Sequence, residues 1–187
     1  MQIQKLKIVM IGPSESGKTL LANFISEAVN IEESDVPRPT QGVRIVEFEL
    51  PNVNINDKKY KVDIELWDCS GDHKFESCWP ALRVDVKGVI LVCSSNTNNA
   101  SRELELLYNY FVSQPKLSTK QCVVFYNCIN DEDIDILNLC KYPFKSPIRK
   151  TPTFSRVSQV AINMKTRSDR VKLDFINFVS SILQSIS

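Results

Sequence analysis

The stretch Gly12-Pro13-Ser14-Glu15-Ser16-Gly17-Lys18-Thr19 has the Gly-x-x-x-x-Gly-Lys-Thr spacing of a Walker A phosphate loop. An apolar run at residues 6–11 precedes it and is typical of a buried parallel strand. The glycines let backbone N–H groups approach phosphate oxygens, Lys18 supplies a mobile cation for the β- and γ-phosphates, and the Thr19 hydroxyl suits Mg²⁺. The alternative is an ordinary turn that carries Gly-Lys-Thr. The residues after the loop argue against that alternative, because they predict a helix whose positive end points at the anion. The apolar stripe of this helix consists of Leu21, Phe24, Ile25 and Ala28.

A second motif, Trp67-Asp68-Cys69-Ser70-Gly71, ends a strand-like run that begins at Tyr60. An acid at a strand end beside a phosphate loop can hold Mg²⁺ through water, and Gly71 leaves its backbone N–H free for a γ-phosphate. The same letters also fit a simple Asp-x-x-Gly turn. The phosphate loop upstream favours the functional interpretation.

A third motif, Pro39-Thr40-Gln41-Gly42, precedes the strand-like run at residues 43–50. A threonine here could complete the Mg²⁺ shell when a γ-phosphate is present. Pro-Thr before a strand is also common turn chemistry, so the motif gains weight from its order between the other two. We therefore predict that Thr19, Thr40 and Asp68 are the metal ligands.

Strand and helix patterns alternate along the 187 residues, which predicts a single α/β domain over residues 1–187. Residues 43–50 and 60–66 alternate apolar and polar positions and predict a hairpin across a polar turn at 51–59. Strands separated by helices build a mostly parallel sheet with helices on both faces, and ligands bind beyond the carboxyl ends of its strands. Further strands are predicted at 86–93, 121–127 and 157–162, and helices around 104–111, 131–141 and 171–182.

The composition limits the kinds of partner. A net charge of +1, with no basic stretch interleaved with aromatics, argues against a general nucleic-acid binder. Six cysteines without a Cys-x-x-Cys pair, and one histidine, make a zinc site unexpected and favour reduced thiols in the cytosol. No apolar run reaches the ~18 residues of a membrane span. Residue 2 is Gln and no cysteine follows Cys140, so no lipid anchor is expected.

The three motifs, in this order on this strand pattern, resemble those of the Ras-like small GTPases, and the resemblance covers nearly the whole chain. It implies a P-loop NTPase fold of the Ras-like G-domain type, with a six-stranded, mostly parallel sheet. It also implies GTP or GDP and Mg²⁺ as ligands. Thr40 would belong to switch I, and residues 68–71 would open switch II, the two loops that order around GTP.

A narrower resemblance rests on residues 39–45 and on the long run 65–82, which contains Phe-Glu-Ser-Cys-Trp-Pro-Ala-Leu. Both are similar to the Rab-like proteins of intraflagellar transport. The resemblance implies a GTP/GDP-binding subunit of intraflagellar transport complex B that is located in the cytoplasm and the cilium. It further implies docking on the coiled-coil subunits 74 and 81 of that complex, by a chain that is monomeric alone.

Two departures from the family pattern concern catalysis and base recognition. Asp72 stands where active Ras-like enzymes carry the glutamine that orients water, so we expect slow hydrolysis or none. His73 is either a surrogate for that glutamine or an exposed switch residue. The guanine motif Asn-Lys-x-Asp is reduced to Asn127-Cys128-Ile129-Asn130, unless Asp131 shifts into place. Asn127 and Asn130 are therefore the predicted base contacts, and guanine is inferred from the family.

The partner surface has two candidates. Nine Lys and Arg against one acid between residues 141 and 172 form either a solvated face or a docking surface for an acidic coiled coil. Phe75 and Trp79 are either interface anchors or core residues. The leading functional hypothesis is a nucleotide-binding subunit that acts by binding. The alternatives are a slowly cycling GTPase whose partner supplies the catalytic group, and another P-loop enzyme such as a nucleotide kinase.

Overall fold

The computed structural model describes residues 2–27, 38–55, 58–94, 100–128 and 152–186. Within these ranges the chain forms six strands. Each predicted strand is present, although most bounds differ by a few residues because strand ends are set by pairing and not by hydropathy alone. The strands are β1 (Gln2–Ile11), β2 (Val43–Ile55), β3 (Lys58–Cys69), β4 (Gly88–Ser94), β5 (Cys122–Asn127) and β6 (Ser158–Ile162).

The strands form one sheet in the order β2-β3-β1-β4-β5-β6. Only β2 and β3 pair antiparallel, and every other neighbouring pair is parallel. This confirms the predicted mostly parallel six-stranded sheet. Strand β1 lies between β3 and β4, so the connections leave its carboxyl end in opposite directions, and such a point is where open α/β sheets bind their ligands.

Helices cover both faces of the sheet and bury two apolar clusters. α1 and α4 lie on one face and α3 lies on the other. None of the helices in the described part of the chain combines the length and apolar character that crossing a bilayer requires. The α-helices are α1 (Lys18–Ile25), α2 (Trp79–Arg83), α3 (Ala100–Tyr108) and α4 (Ser168–Ile186).

The polar turn predicted at residues 51–59 is wrong. β2 continues to Ile55 and β3 resumes at Lys58. The β2–β3 register shifts between Leu50 and Val53, and this bulge takes up Pro51 and Asn52 on an edge strand, where a residue without an N–H is tolerated. Beyond the bulge Val53 is only 1% exposed, so the pattern resumes toward the core.

Two sequence expectations concern aromatic residues and loops. Trp79 is half-buried, and its ring packs on those of Tyr110 and Phe111 at centroid distances of 5.2 and 5.5 Å. Of the two predicted roles, core residue and interface anchor, these contacts favour the core residue. Phe75 is half-buried and lines the cleft described below. The predicted helix at 131–141 lies outside the described residues, as do residues 141–151 of the basic stretch, with four of its nine Lys and Arg.

Candidate nucleotide-binding site

The phosphate loop runs from the end of β1 to the start of α1, as the motif predicts. Gly17 has φ 87°, a left-handed conformation that favours glycine, and a Cβ placed there would lie 2.1 Å from Nδ2 of Asn127. A Cβ on Gly12 would lie 1.9 Å from the carbonyl oxygen of Val92. Both glycines are thus required by the close approach of β4 and β5 to the loop.

Helix α1 opens toward the loop with free hydrogen-bonding capacity. No side chain among the described residues caps its amino end, and its first turn contains no acid. Uncapped N–H groups and the positive end of the helix dipole form a ready anion site. Because the loop and α1 are continuous, an anion bound by the loop lies on this helix end.

Lys18 lies at the centre of the loop and is 6% exposed. Its Nζ donates to the carbonyl oxygens of Gly12 at 2.9 Å and Pro13 at 2.7 Å, and lies 3.3 Å from Oγ of Ser16. Burial lowers the pKa of the amine to about 8, and Asp68 opposes this fall. The loop therefore holds a desolvated cation that a phosphate would neutralise.

The three predicted metal ligands meet at one point. Oγ1 of Thr19 lies 2.8 Å from Oγ1 of Thr40, and the Thr40 hydroxyl donates to Oδ2 of Asp68 at 3.3 Å. The contact between switch I and β3 is fixed by the backbone, because the N–H of Ser70 donates to the carbonyl of Gly42 at 2.8 Å. Two hydroxyls and one carboxylate are hard oxygen donors of the kind Mg²⁺ prefers.

Asp68 itself is fully buried, and burial raises the pKa of its carboxyl group. Its Oδ1 has no hydrogen-bond partner among the described residues. A buried carboxylate oxygen without a donor fits a cation site, since such a group is otherwise expensive to bury. The residues present therefore fit a divalent cation at this position.

A cleft of about 650 Å³ joins these groups, within the range of small-molecule sites. Gly71, the glycine of the switch II motif, forms part of its wall. A Cβ on Gly71 would lie 2.4 Å from the backbone N of Ser14 and 2.5 Å from the carbonyl oxygen of Gly12. The cleft is lined by the phosphate loop (Ser14–Leu20), by residues 38–41 and by residues 69–72, 74 and 75.

The carboxylate of Asp72 is engaged by a neighbouring residue of switch II. Its side chain accepts from the backbone N–H of Lys74 at 3.0 Å and pairs with Nζ of Lys74 at 2.8 Å. These contacts lower the pKa of the carboxyl group. The carboxylate begins the 3₁₀ turn His73–Cys78, and Asp72 also lines the cleft, so its predicted role at the water position stays a prediction.

His73 has a side chain that is 61% exposed. Nδ1 contacts a carboxylate oxygen of Glu76, and Nε2 lies 3.8 Å from Oε1 of Glu103 on α3. The contact with Glu76 raises the pKa of the histidine, with a further contribution from Glu103. Its contacts fasten switch II to α3, which agrees with an exposed switch residue.

Asn127 ends β5, and its Nδ2 donates to the carbonyl oxygen of Ser16 at 3.2 Å. The side chain predicted to contact a base thus also ties β5 to the phosphate loop. Asn130 and Asp131 lie outside the described residues, so the second predicted base contact stays a prediction.

One charged residue near the site was not predicted. Arg44 of β2 faces Asp68 of β3 in the antiparallel register, and its Nη2 lies 3.4 Å from Oδ2 of Asp68. Two pieces of information are needed to find this residue. The alternation of residues 43–50 places position 44 on the same side as Val46 and Phe48, and the hairpin register then pairs it with position 68.

Comparisons with known proteins agree with this fold. Residues 7–131 match the family model of the Roc domain (Ras of Complex, Roc, domain of DAPkinase). The chain is 39% identical to the human "Intraflagellar transport protein 22 homolog" over 183 residues, which cover 98% of this chain and 92% of that protein. The protein of the same name from Danio rerio is 35% identical over 183 residues, with the same shares covered.

Solved structures share the fold at lower identity. The T. brucei IFT22/74/81 GTP-bound crystal structure superposes with a TM-score of 0.72 at 21% identity, over 97% of this chain and 96% of that chain. The T. brucei IFT22 GDP-bound crystal structure gives a TM-score of 0.67 at 21% identity, over 98% and 99%. Fold and site thus define a Ras-like GTPase domain, which confirms the predicted class. Within that class, the chain belongs to the family of intraflagellar transport protein 22 homologs.

Proposed function

We propose that the cleft binds GTP or GDP together with Mg²⁺, and that the chain serves as a nucleotide-binding subunit of intraflagellar transport complex B. The observation that carries the nucleotide site is the convergence of Thr19, Thr40 and Asp68 beside the buried amine of Lys18. Three hard oxygen ligands next to a desolvated cation and an uncapped helix end suit a magnesium–phosphate group.

The phosphates and the metal are proposed to contact different residues. The backbone of Gly12–Thr19 and the amine of Lys18 hold the phosphates, and the carboxylate of Asp68 and the two threonine hydroxyls hold the metal. The metal, when bound, supplies positive charge to the β- and γ-phosphates. Gly71 abuts the phosphate loop, so its backbone is placed to sense whether a γ-phosphate is present. Guanine specificity is proposed from the family and from Asn127.

The proposal is tested by nucleotide binding at defined Mg²⁺. Purified protein stripped of nucleotide is titrated with fluorescent GDP and fluorescent GTP, either in millimolar Mg²⁺ or in EDTA, with unlabelled GTP or ATP as competitor. We expect Mg²⁺-dependent binding that GTP displaces and ATP does not. Asp68→Asn should remove most of the Mg²⁺ dependence, whereas Asp85→Asn, the same change at an exposed loop residue with φ 56°, should behave as wild type. Absence of binding at millimolar GTP and Mg²⁺ would refute the site.

The chain acts by binding more than by turnover. Asp72 stands at the water-positioning place, and its carboxylate is held by Lys74. Single-turnover hydrolysis of radiolabelled GTP should therefore be very slow. The second candidate, a cycling GTPase completed by its partner, predicts instead that addition of the partner raises hydrolysis many-fold, and this result would displace the binding-subunit interpretation.

The proposed partners are the coiled-coil subunits 74 and 81, and the proposed location is the cytoplasm and the cilium. Support comes from the family and from the T. brucei complex structure, which shares this fold. Co-purification of the chain with a fragment of the two coiled-coil subunits, loaded with GTP or GDP, tests this. We expect a stoichiometric complex of the chain with the two coiled-coil subunits. If the switches form part of the contact, Lys18→Met should weaken this complex, because the variant binds no nucleotide. A chain that elutes alone under both conditions refutes the docking.

A further inference from the structure

Arg44 brings a permanent positive charge to the carboxylate that is proposed to hold Mg²⁺. It stands opposite Asp68 in the β2–β3 register, with Nη2 3.4 Å from Oδ2. The same oxygen accepts the hydroxyl of Thr40. Asp68 is fully buried, whereas 40% of the Arg44 side chain is exposed, so the guanidinium reaches the carboxylate from the edge of the sheet.

The pair is not the bidentate arrangement that makes an arginine–carboxylate bridge strong. Nε and Nη2 of Arg44 and Oδ1 of Asp68 are buried without hydrogen-bond partners among the described residues. The attraction is thus Coulombic, with weak geometric restraint. An ion pair of this kind can yield its carboxylate to another cation more easily than a fork-to-fork pair can.

A buried carboxylate that stays ionised needs a compensating charge, whether or not a metal ion is bound. Lys18 contributes one, but its amine is held by the carbonyls of Gly12 and Pro13. Arg44 is the cation in direct ion-pair contact with Asp68 among the described residues. The β2–β3 pairing is continuous from Val43 to Leu50, and it fixes the backbone of Arg44 opposite that of Asp68.

We infer that Arg44 is a positioning residue that acts as a built-in counter-cation: it holds Asp68 in place when no divalent ion is bound and competes with Mg²⁺ when one is available. This inference rests on the proposed nucleotide function. The guanidinium of Arg44 and a divalent ion beside the same carboxylate are both positive and repel each other. The repulsion is appreciable because the effective dielectric constant near a protein surface is about 20. The wild-type protein therefore binds Mg²⁺ more weakly, and depends on it less, than the same site would without the arginine.

The test uses the full chain with wild-type Arg44, Arg44→Gln and Arg44→Lys. The control is Arg102→Gln, the same change at an exposed arginine of α3. In the first arm, release of fluorescent GDP is followed while Mg²⁺ is titrated, and the midpoint gives the Mg²⁺ affinity. In the second arm, thermal unfolding of nucleotide-free protein is measured in EDTA.

We expect opposite effects in the two arms. Arg44→Gln lowers the Mg²⁺ midpoint by about tenfold, because the competing charge is gone, and lowers the unfolding temperature in EDTA, because Asp68 loses its counter-cation. Arg44→Lys restores both toward wild type, and Arg102→Gln changes neither. If Arg44→Gln weakens GDP binding equally with and without Mg²⁺, Arg44 serves the phosphates and the inference is wrong.

The two failures are distinguishable. A normal wild-type affinity for GDP with a Mg²⁺ midpoint that Arg44→Gln leaves unchanged or raises overturns this inference alone. A wild-type protein that binds no nucleotide overturns the proposed function and this inference with it.

Discussion

Replacing Lys18 with methionine should raise the stability of the ligand-free protein while abolishing nucleotide binding. Lys18 is 6% exposed, and its amine donates to carbonyl oxygens of the phosphate loop. Burial lowers its pKa from the usual 10.5 to about 8. At about 1.4 kcal/mol per pH unit, this fall corresponds to roughly 3 kcal/mol of unfavourable free energy for holding the charged amine in the empty loop.

The substitution also removes favourable contacts. Two carbonyl oxygens, of Gly12 and Pro13, lose a donor at 2.9 and 2.7 Å, and each such loss costs about 1 kcal/mol. Methionine has a similar volume and can occupy the same space without a large cavity. The net expectation at pH 7 is a gain of about 1 kcal/mol, or about 2–4 °C in the unfolding temperature of a protein of this size.

The pH dependence gives a sharper test, because it isolates the charge. Unfolded Lys18 keeps its proton up to about pH 10.5, whereas the folded residue releases it above about pH 8. Between these values the unfolded state binds more protons, so the stability of the wild type rises with pH relative to the variant. The wild type should gain about 2 kcal/mol on the variant between pH 7 and pH 9.5.

The assay is urea unfolding of nucleotide-free protein at 25 °C, followed by tryptophan fluorescence, at several pH values. Lys87→Met, the same change at an exposed lysine, serves as control and should stay within about 0.5 kcal/mol of wild type. GTP with Mg²⁺ should stabilise the wild type and leave Lys18→Met unaffected. A variant less stable than wild type at pH 7, with a difference that does not change with pH, would refute the desolvation argument.

Three further predictions concern folding, the loop and the switch. Gly88→Ala should lower the free energy of unfolding by about 1–3 kcal/mol, because its Cβ would lie 2.4 Å from a side chain of α4; urea unfolding with unchanged stability would contradict this. Asn127→Ala should weaken GDP binding by about five- to tenfold, through the lost hydrogen bond to the loop of about 1 kcal/mol, as measured by fluorescent-GDP titration; an unchanged affinity speaks against this tie. The raised pKa of His73 predicts that its contribution to stability is complete below about pH 6.5 and is lost as the pH rises through the folded-state pKa. The unfolding temperature of the wild type minus that of His73→Gln should therefore fall between about pH 6 and 8, and a flat difference would show that the contacts with Glu76 and Glu103 add no stability.

Much of the fold was predictable because the deciding signals are local. The phosphate loop, its preceding strand and its following helix lie within one short stretch, and each is recognisable from spacing alone. The meeting of the predicted metal ligands has a related reason. Thr19 follows the loop at the carboxyl end of β1, and Asp68 lies near the carboxyl end of its parallel neighbour β3, so both lie at one edge of the sheet. The backbone contact from Ser70 to Gly42 then brings Thr40 to Asp68.

Features that depend on pairing were not predictable. The continuation of β2 past Pro51 needs a bulge that only the partner strand reveals. The same holds for Arg44, whose role follows from the residue opposite it and not from its neighbours along the chain. The contact between Asn127 and the loop joins residues 111 positions apart, and no local pattern carries such information.

These differences bear on how the protein is used. The phosphate half of the site is held by the central strands β1 and β3 and by glycines that tolerate no side chain, so it is rigid and specific in its geometry. At the water-positioning place the chain instead carries Asp72, which Lys74 and the 3₁₀ turn engage. Rate enhancement requires groups that contact the transition state more strongly than the ground state, whereas binding requires only the cradle. A chain that keeps the cradle and employs its switch II acid in holding switch II suits a subunit whose nucleotide sets the shape offered to a partner, with hydrolysis left secondary.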